Sequence, residues 1–169
     1  MRAVAESFAE AGFAVLRCDL PYRIAGRSSP PPPAGQGKDR EGLQQAVELI
    51  RELVPGPVVL GGQSYGGRQA SMLAAENPEI ASGLALFSYP LHPPGQPARL
   101  RTEHFPKLRA PCFFVHGTRD PFGSVEELRA ALPLITARTE LAVIDKAGHG
   151  VPPKSVGPLA GRCRTFLGL

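Results

Sequence analysis

One short motif in the chain has the composition of a nucleophilic serine site. Gly62-Gln63-Ser64-Tyr65-Gly66 matches the pattern G-x-S-x-G. An apolar run, PVVL, precedes the motif and a helix-forming stretch follows it, so we expect the serine at a turn from strand to helix. Such a turn projects the serine hydroxyl above the sheet. A plain glycine-rich turn is the alternative, and the phosphate-binding patterns G-x-x-x-x-G-K-S/T and G-x-G-x-x-G are both missing.

A serine hydroxyl becomes a good nucleophile only when a base removes its proton and a carboxylate orients that base. For a serine in this kind of turn, the expected order along the chain is Ser, acid, His. Asp120 follows the apolar run PCFFVH, and His149 in the loop KAGHGVPP is the only histidine after it. These residues are the candidate acid and base for Ser64. Asp145 is the weaker alternative acid, and its other interpretation is a solvated strand end.

Several polar residues that follow predicted strands are candidates for contact with a substrate, with ordinary loop packing as the alternative. These candidates are Tyr22, Arg23, Gln63, Tyr89 and His92. His116 closes a strand and is interpreted as a packed structural histidine, whereas His92 and His104 lie in a long loop where a surface position is the default. Histidines and cysteines are never spaced as metal ligands, so we predict neither a metal nor a cofactor.

The elements that must position these residues follow from hydrophobic periodicity. Amphipathic patterns predict helices over 3–11, 39–54, 66–76, 124–132 and 155–167. Short apolar runs predict strands over 13–18, 57–60, 83–88, 111–116 and 140–145. The segments 19–37 and 89–109 are predicted loops. This alternation predicts a single α/β domain over 1–169: a doubly wound, mostly parallel sheet with helices on both faces and the active site at the carboxyl ends of its strands.

Composition excludes several classes of protein. The net charge is +4, and the basic residues are spread along the chain without the clustered patch of a nucleic-acid binder. No apolar run has the length of a membrane span, and the first residues do not have the pattern of a signal peptide. The three cysteines are far apart, which favours reduced, buried thiols in a cytoplasmic protein. We therefore expect neither nucleic acid nor a membrane as partner, and the serine site predicts a small-molecule acyl substrate.

The motifs together resemble the α/β-hydrolase superfamily, in its dienelactone-hydrolase-like branch. The segments GFAVLRCDLPYR, GGQSYGGR, LFSYPLHPPGQP, LRTEH and HGTRDPFG are similar to a small family that includes testis-expressed proteins and subunits of a histone acetyltransferase (NSL) complex, together with bacterial members. The resemblance implies Ser64 as nucleophile, Asp120 as acid, His149 as base and the Tyr65 backbone N–H as an oxyanion donor. Dienelactone hydrolases use a cysteine where this chain has Ser64, so their substrate is not carried over.

The chain departs from that family at its start. The resemblance implies strands ahead of residues 3–11, one of which lies between 13–18 and 57–60 and supplies a second oxyanion N–H. One interpretation is a mis-assigned gene start with about 25–50 residues missing. The other is a shortened form in which 13–18 pairs with 57–60 or with another chain, and an exposed sheet edge then predicts self-association. The expected function is a serine hydrolase for an ester or thioester; the alternative is a non-catalytic scaffold without a complete oxyanion hole.

Overall fold

The computed structural model describes all residues from 1 to 169 and contains four strands and six α-helices. The strands are β1 (Val59–Gln63), β2 (Gly83–Phe87), β3 (Cys112–Gly117) and β4 (Thr139–Ile144). The α-helices are α1 (Arg2–Glu10), α2 (Pro21–Ile24), α3 (Gly37–Leu53), α4 (Tyr65–Glu76), α5 (Val125–Ala131) and α6 (Val156–Leu167). Short 3₁₀ helices occupy Pro33–Gly35, Phe105–Lys107, Leu132–Leu134 and Pro153–Ser155.

The four strands form one parallel sheet in the order β1-β2-β3-β4. Both faces of the sheet are covered, which explains why the two central strands, β2 and β3, are buried along their whole length. Leu84 and Leu86 of β2 face a core that contains the apolar sides of α3, α4 and α5. Ala85 and Phe87 face a second core made with α1 and α6. The prediction of a mostly parallel sheet between two layers of helices is therefore confirmed.

The local sequence signals place most elements within three residues of their predicted bounds. The clearest is the start of α5, where the Ser124 hydroxyl accepts the Glu127 N–H and the Glu127 carboxylate accepts the Ser124 N–H. This reciprocal capping box satisfies two backbone donors at the end of the helix. The segment predicted as a loop over 19–37 differs, because it contains α2 and a 3₁₀ turn.

The predicted strand at 13–18 is wrong. Residues 13–20 have no regular secondary structure, residues 14–19 make no backbone–backbone hydrogen bond, and Val15 and Leu16 are exposed. Direct pairing with 57–60 is also wrong, because a groove of about 580 Å³ lies between this segment and β1. An extended segment becomes a strand only when a neighbour accepts and donates its backbone hydrogen bonds, and here none lies within reach.

The prediction that the cysteines are buried is confirmed for Cys112 and Cys163 and wrong for Cys18, which is exposed on the same unpaired segment. None of the helices combines the length and the apolar character that crossing a membrane requires.

Candidate active site

Ser64 lies at a tight turn between β1 and α4. Its backbone has φ +53° and ψ −122°, a conformation that is strained for a residue with a side chain. The turn closes because Gly62 and Gly67 allow strand and helix to touch. A Cβ on Gly62 would lie 2.7 Å from the Gly67 nitrogen, and one on Gly67 would lie 2.5 Å from the Gly62 carbonyl oxygen. The serine side chain therefore stands at the carboxyl end of the sheet.

The loops that follow β3 and β4 carry Asp120 and His149 and are joined to each other. The Arg119 N–H donates to the Ala147 carbonyl at 2.8 Å, and the Thr118 N–H donates to the Ile144 carbonyl at 3.1 Å. Gly117 makes this approach possible, since any Cβ there would collide with the Ala147 carbonyl. Two residues that are 29 positions apart are in this way held on one side of Ser64.

Three side chains form a continuous chain of hydrogen bonds. The Ser64 hydroxyl donates to His149 Nε2 at 2.6 Å, and His149 Nδ1–H donates to the Asp120 carboxylate at 2.8 and 2.9 Å from its two oxygens. The Phe122 N–H also donates to Asp120 Oδ1 at 2.9 Å, and the Phe122 ring lies 4.1 Å from the imidazole centroid. The Asp120 side chain is fully buried, whereas that of His149 is 21% exposed. A ligand can therefore reach the Ser64 end of this row of hydrogen bonds but not the Asp120 carboxylate.

Tyr65 places a free N–H beside the serine hydroxyl. It is the first residue of α4, and its backbone N–H has no hydrogen-bond partner in the chain. The first N–H groups of a helix have no partner within the helix and carry partial positive charge, so the helix N-terminus favours an anion. The Tyr65 N–H is therefore a free hydrogen-bond donor on the residue directly after Ser64.

Three of the predicted substrate contacts are linked to the serine motif by packing or by chain position. The Tyr22 ring packs edge to face against the Tyr65 ring at 5.6 Å, and the Arg23 guanidinium lies 5.5 Å from the Tyr22 ring centroid. Gln63 ends β1 directly before the serine, and its amide lies close to Gly150 in the histidine loop. Tyr22 and Gln63 are therefore next to the serine motif, in space and in the chain respectively, and Arg23 lies next to Tyr22.

Tyr89 and His92 do not line the cleft, which corrects the prediction for both. Tyr89 is 1% exposed, donates its hydroxyl to the Arg101 carbonyl at 2.6 Å and packs on Phe105 in the core. His92 is 5% exposed and lies 3.5 Å from the Glu127 carboxylate at the start of α5. The physical reason is that the chain turns inward after β2, where Ser88 has φ +48°. A position after a strand end does not by itself fix which way a side chain points.

The remaining candidates have structural surroundings. His116 is fully buried, as predicted, and its Nε2 lies 2.7 Å from the Gly123 carbonyl. Asp145 is exposed and accepts a hydrogen bond from Thr118, so it is not the partner of His149.

His104 corrects the expectation of a surface position. It is half-buried and lies 2.8 Å from the Ser71 hydroxyl. Burial, together with the smaller effect of the Arg68 charge, lowers the pKa of His104 to about 4. Arg68 itself donates to the side-chain oxygen of Gln36 rather than to an acid.

Sequence reasoning missed one polar residue beside the site. Asp39 is 1% exposed and accepts hydrogen bonds from the Tyr65 hydroxyl at 2.6 Å and the Tyr22 N–H at 3.0 Å. No local pattern reveals it, because its partners are 17 and 26 positions away in the chain. The chain has no group of three or more histidine, cysteine or acidic side chains placed to hold a metal ion.

Comparison with known proteins agrees with this geometry. Residues 1–159 match the model of a family described as an alpha/beta hydrolase domain. Putative carboxymethylenebutenolidases of Escherichia coli K12 and Salmonella typhimurium are 32% and 31% identical to this chain over 100 residues. These matches cover 54% of this chain and only 35% and 36% of the relatives. The matched region thus spans about a third of the length of those proteins.

Solved structures give the same result for the fold. A dienelactone hydrolase from Anabaena variabilis is 25% identical with a TM-score of 0.73, and the match covers 97% of this chain and 77% of that one. An alpha-beta serine hydrolase homologue from Coxiella burnetii is 17% identical with a TM-score of 0.74, covering 95% of this chain and 74% of that one. Given the family match over most of its length, this chain belongs to the alpha/beta hydrolase domain family and is similar to the dienelactone hydrolases within that superfamily.

Proposed function

We propose that the chain is a serine hydrolase that cleaves a carboxylic ester or thioester through an acyl-enzyme. The observation that carries the proposal is the chain of hydrogen bonds from the Ser64 hydroxyl through His149 to the buried Asp120 carboxylate. The names of the curated relatives, putative carboxymethylenebutenolidases, support a hydrolase. The site residues and the acyl-enzyme are our assignments from geometry.

In the first half of the reaction, Ser64 Oγ forms a bond to the acyl carbon while its proton moves 2.6 Å to His149 Nε2. The imidazolium that forms is stabilised by Asp120, which accepts the Nδ1–H and is itself held by the Phe122 N–H. The negative charge on the former carbonyl oxygen is met by the Tyr65 N–H. A donor of this kind is worth about 3 to 4 kcal/mol of barrier height.

The tetrahedral intermediate collapses when the bond to the leaving group breaks and His149 Nε2 returns the proton to the departing alcohol or thiol. A water molecule then attacks the acyl-enzyme with His149 as base, and a second collapse releases the acid and restores the Ser64 hydroxyl. The same three side chains serve both halves, because each half needs one proton taken from a nucleophile and one given to a leaving group.

The test is covalent labelling of the folded 169-residue protein with a fluorophosphonate probe, followed by peptide mass spectrometry. We expect one labelled serine, Ser64, and we expect hydrolysis of p-nitrophenyl butyrate to fall about a million-fold in Ser64→Ala. Ser82→Ala is the matched control, because Ser82 is exposed and lies at the opposite end of β2. The Ser82→Ala protein should be labelled at Ser64 and should hydrolyse p-nitrophenyl butyrate at the wild-type rate.

Two results would separate the hydrolase from the non-catalytic scaffold. Labelling of Ser64 with turnover of an ester or thioester supports the hydrolase. A protein that circular dichroism shows to be folded, but in which Ser64 neither reacts with the probe nor supports turnover, would overturn the proposal in favour of the scaffold.

A further inference from the structure

Asp39 is a buried carboxylate that the proposed reaction does not use. It lies in the first turn of α3, where the helix dipole favours negative charge, and it is 1% exposed. No lysine, arginine or histidine lies within 4.0 Å of its oxygens. Burying an ionised group without a cation is costly, so its remaining hydrogen bonds must compensate.

Both carboxylate oxygens of Asp39 are engaged by residues of the cleft. Oδ2 accepts the Tyr65 hydroxyl at 2.6 Å, and Oδ1 accepts the Tyr22 N–H at 3.0 Å. The 2.6 Å distance is in the short range of charge-assisted O–H···O⁻ hydrogen bonds. Burial raises the pKa of the Tyr65 phenol, and the bond to Asp39 raises it further, so the phenol stays a donor. One side chain of α3 therefore connects to both α2 and α4.

Asp39 contacts α4 at Tyr65, the residue that directly follows Ser64. Tyr65 carries the free N–H at the first position of α4, and its ring is fixed on one side by Tyr22 at 5.6 Å and at its tip by Asp39. A side chain held at both ring face and hydroxyl limits rotation of its own backbone. Sub-ångström placement of a donor is what stabilisation of an oxyanion requires.

We propose that Asp39 is a positioning residue, which through its hydrogen bonds to Tyr65 and Tyr22 fixes the oxyanion donor and the adjacent wall of the cleft. This inference rests on the proposed hydrolase function. The carboxylate touches no substrate and acts only through the two tyrosines.

The kinetic test compares Asp39→Asn, Tyr65→Phe and the double variant. Tyr65→Phe removes only the hydroxyl and keeps the ring and the backbone N–H. We expect kcat for p-nitrophenyl butyrate to fall about tenfold in each single variant, with KM changed by less than about twofold, because the affected donor acts on the transition state. The double variant should be no slower than the slower single variant, since both changes break the same bond.

Asp19→Asn is the matched control, because Asp19 is exposed in the neighbouring loop and makes no side-chain hydrogen bond. It should leave kcat unchanged. Asp39→Asn and Tyr65→Phe proteins that fold normally and keep wild-type kcat would overturn the inference. The inference would also be overturned if the fold-loss of kcat in the double variant equalled the product of the fold-losses in the two single variants.

A spectroscopic test separates this inference from the proposed function. In protein labelled with ¹³C at tyrosine Cζ, the Tyr65 signal is identified by its loss in Tyr65→Phe. We expect that signal to move in Asp39→Asn and to stay in place in Asp19→Asn. If the wild type shows neither labelling nor turnover, the hydrolase assignment fails on its own experiment. If the Tyr65 signal does not respond to Asp39→Asn, the positioning inference fails whatever the activity.

Discussion

Two regions at the carboxyl end of the sheet differ in how their backbones are held. The loops after β3 and β4 bond to each other through Thr118 and Arg119, and they carry Asp120 and His149 into contact. Residues 14–19, on the far side of β1, make no backbone–backbone hydrogen bond at all. The strand β3 that precedes the first of these loops is an apolar run, as is the segment at 13–18. The difference teaches that an apolar run becomes a buried strand only where a neighbour completes its hydrogen bonds.

In this comparison the largest effect is expected at Asp120, the proposed acid, which lies in the loop after β3. Asp120→Asn keeps the size of the side chain but removes the charge that orients His149 Nδ1–H and stabilises the imidazolium. We expect kcat for ester hydrolysis to fall about 10⁴-fold in a folded protein. Stopped-flow or steady-state assays with p-nitrophenyl butyrate measure it.

Asp145→Asn is the control for that prediction, because Asp145 lies in the other loop of the same pair and bonds only Thr118. It should keep kcat within about twofold. A greater loss in Asp145→Asn than in Asp120→Asn would reverse the assignment of the acid.

The contact between the two loops can be broken directly at Gly117. A methyl group in Gly117→Ala would collide with the Ala147 carbonyl, so the loops must separate or the strands must shift. We expect the free energy of unfolding in urea to fall by about 2 to 4 kcal/mol, the range of overpacking with loss of buried hydrogen bonds. Gly37→Ala is the control, since nothing lies within 4 Å of the added methyl group, and it should be neutral. Equal stability of the two variants would contradict the role given to Gly117.

The parts of this molecule that follow from sequence are those set by local chemistry. The G-x-S-x-G motif predicts the turn at Ser64, the capping box predicts the start of α5, and chain order singles out Asp120 and His149. Each of these signals lies within a few residues or depends on the strict direction of parallel strands. The close contact of strand and helix at Gly67 can also be predicted locally, because this glycine directly follows the motif.

The parts that the sequence could not predict depend on distant partners. The run at 13–18 has the composition of a strand, but whether it pairs is decided by β1, about 45 residues later in the chain. Tyr89 follows β2 and is predicted to line the cleft, yet the backbone of Ser88 turns it into the core. Asp39 is one of four aspartates, and only the packing of three helices makes it a partner of Tyr65.

The segment between β2 and β3 contains a histidine, His104, that makes the stability of the protein sensitive to acid. In the unfolded chain His104 takes up a proton near pH 6.5, while burial lowers its pKa to about 4 in the folded chain. The unfolded state therefore binds more protons in this window, and stability falls as the pH falls from 6.5 towards 4. We expect the wild type to lose about 2 kcal/mol more than His104→Gln between pH 7 and 4.5 in urea titrations. Parallel losses in the two proteins would contradict this.

The smallest expected change in stability belongs to the unpaired segment, where we propose that copies of the chain self-associate. Val15 and Leu16 are 41% and 38% exposed on residues that lack backbone partners, and β1 is the last strand on that side of the sheet. Exposed apolar edges of this kind pair with other chains, and a lysine on them prevents it. We expect sedimentation of the wild type to depend on concentration.

Leu16→Lys should sediment as a monomer at every concentration and change the free energy of unfolding by less than about 0.5 kcal/mol. Leu134→Lys is matched to it, because Leu134 is 45% exposed but follows α5, away from β1. If Leu134→Lys abolishes association as well, or if the wild type is monomeric throughout, the unpaired segment is not the contact. If only Leu16→Lys abolishes association, the copies associate through residues 14–19, the segment whose backbone lacks hydrogen-bond partners.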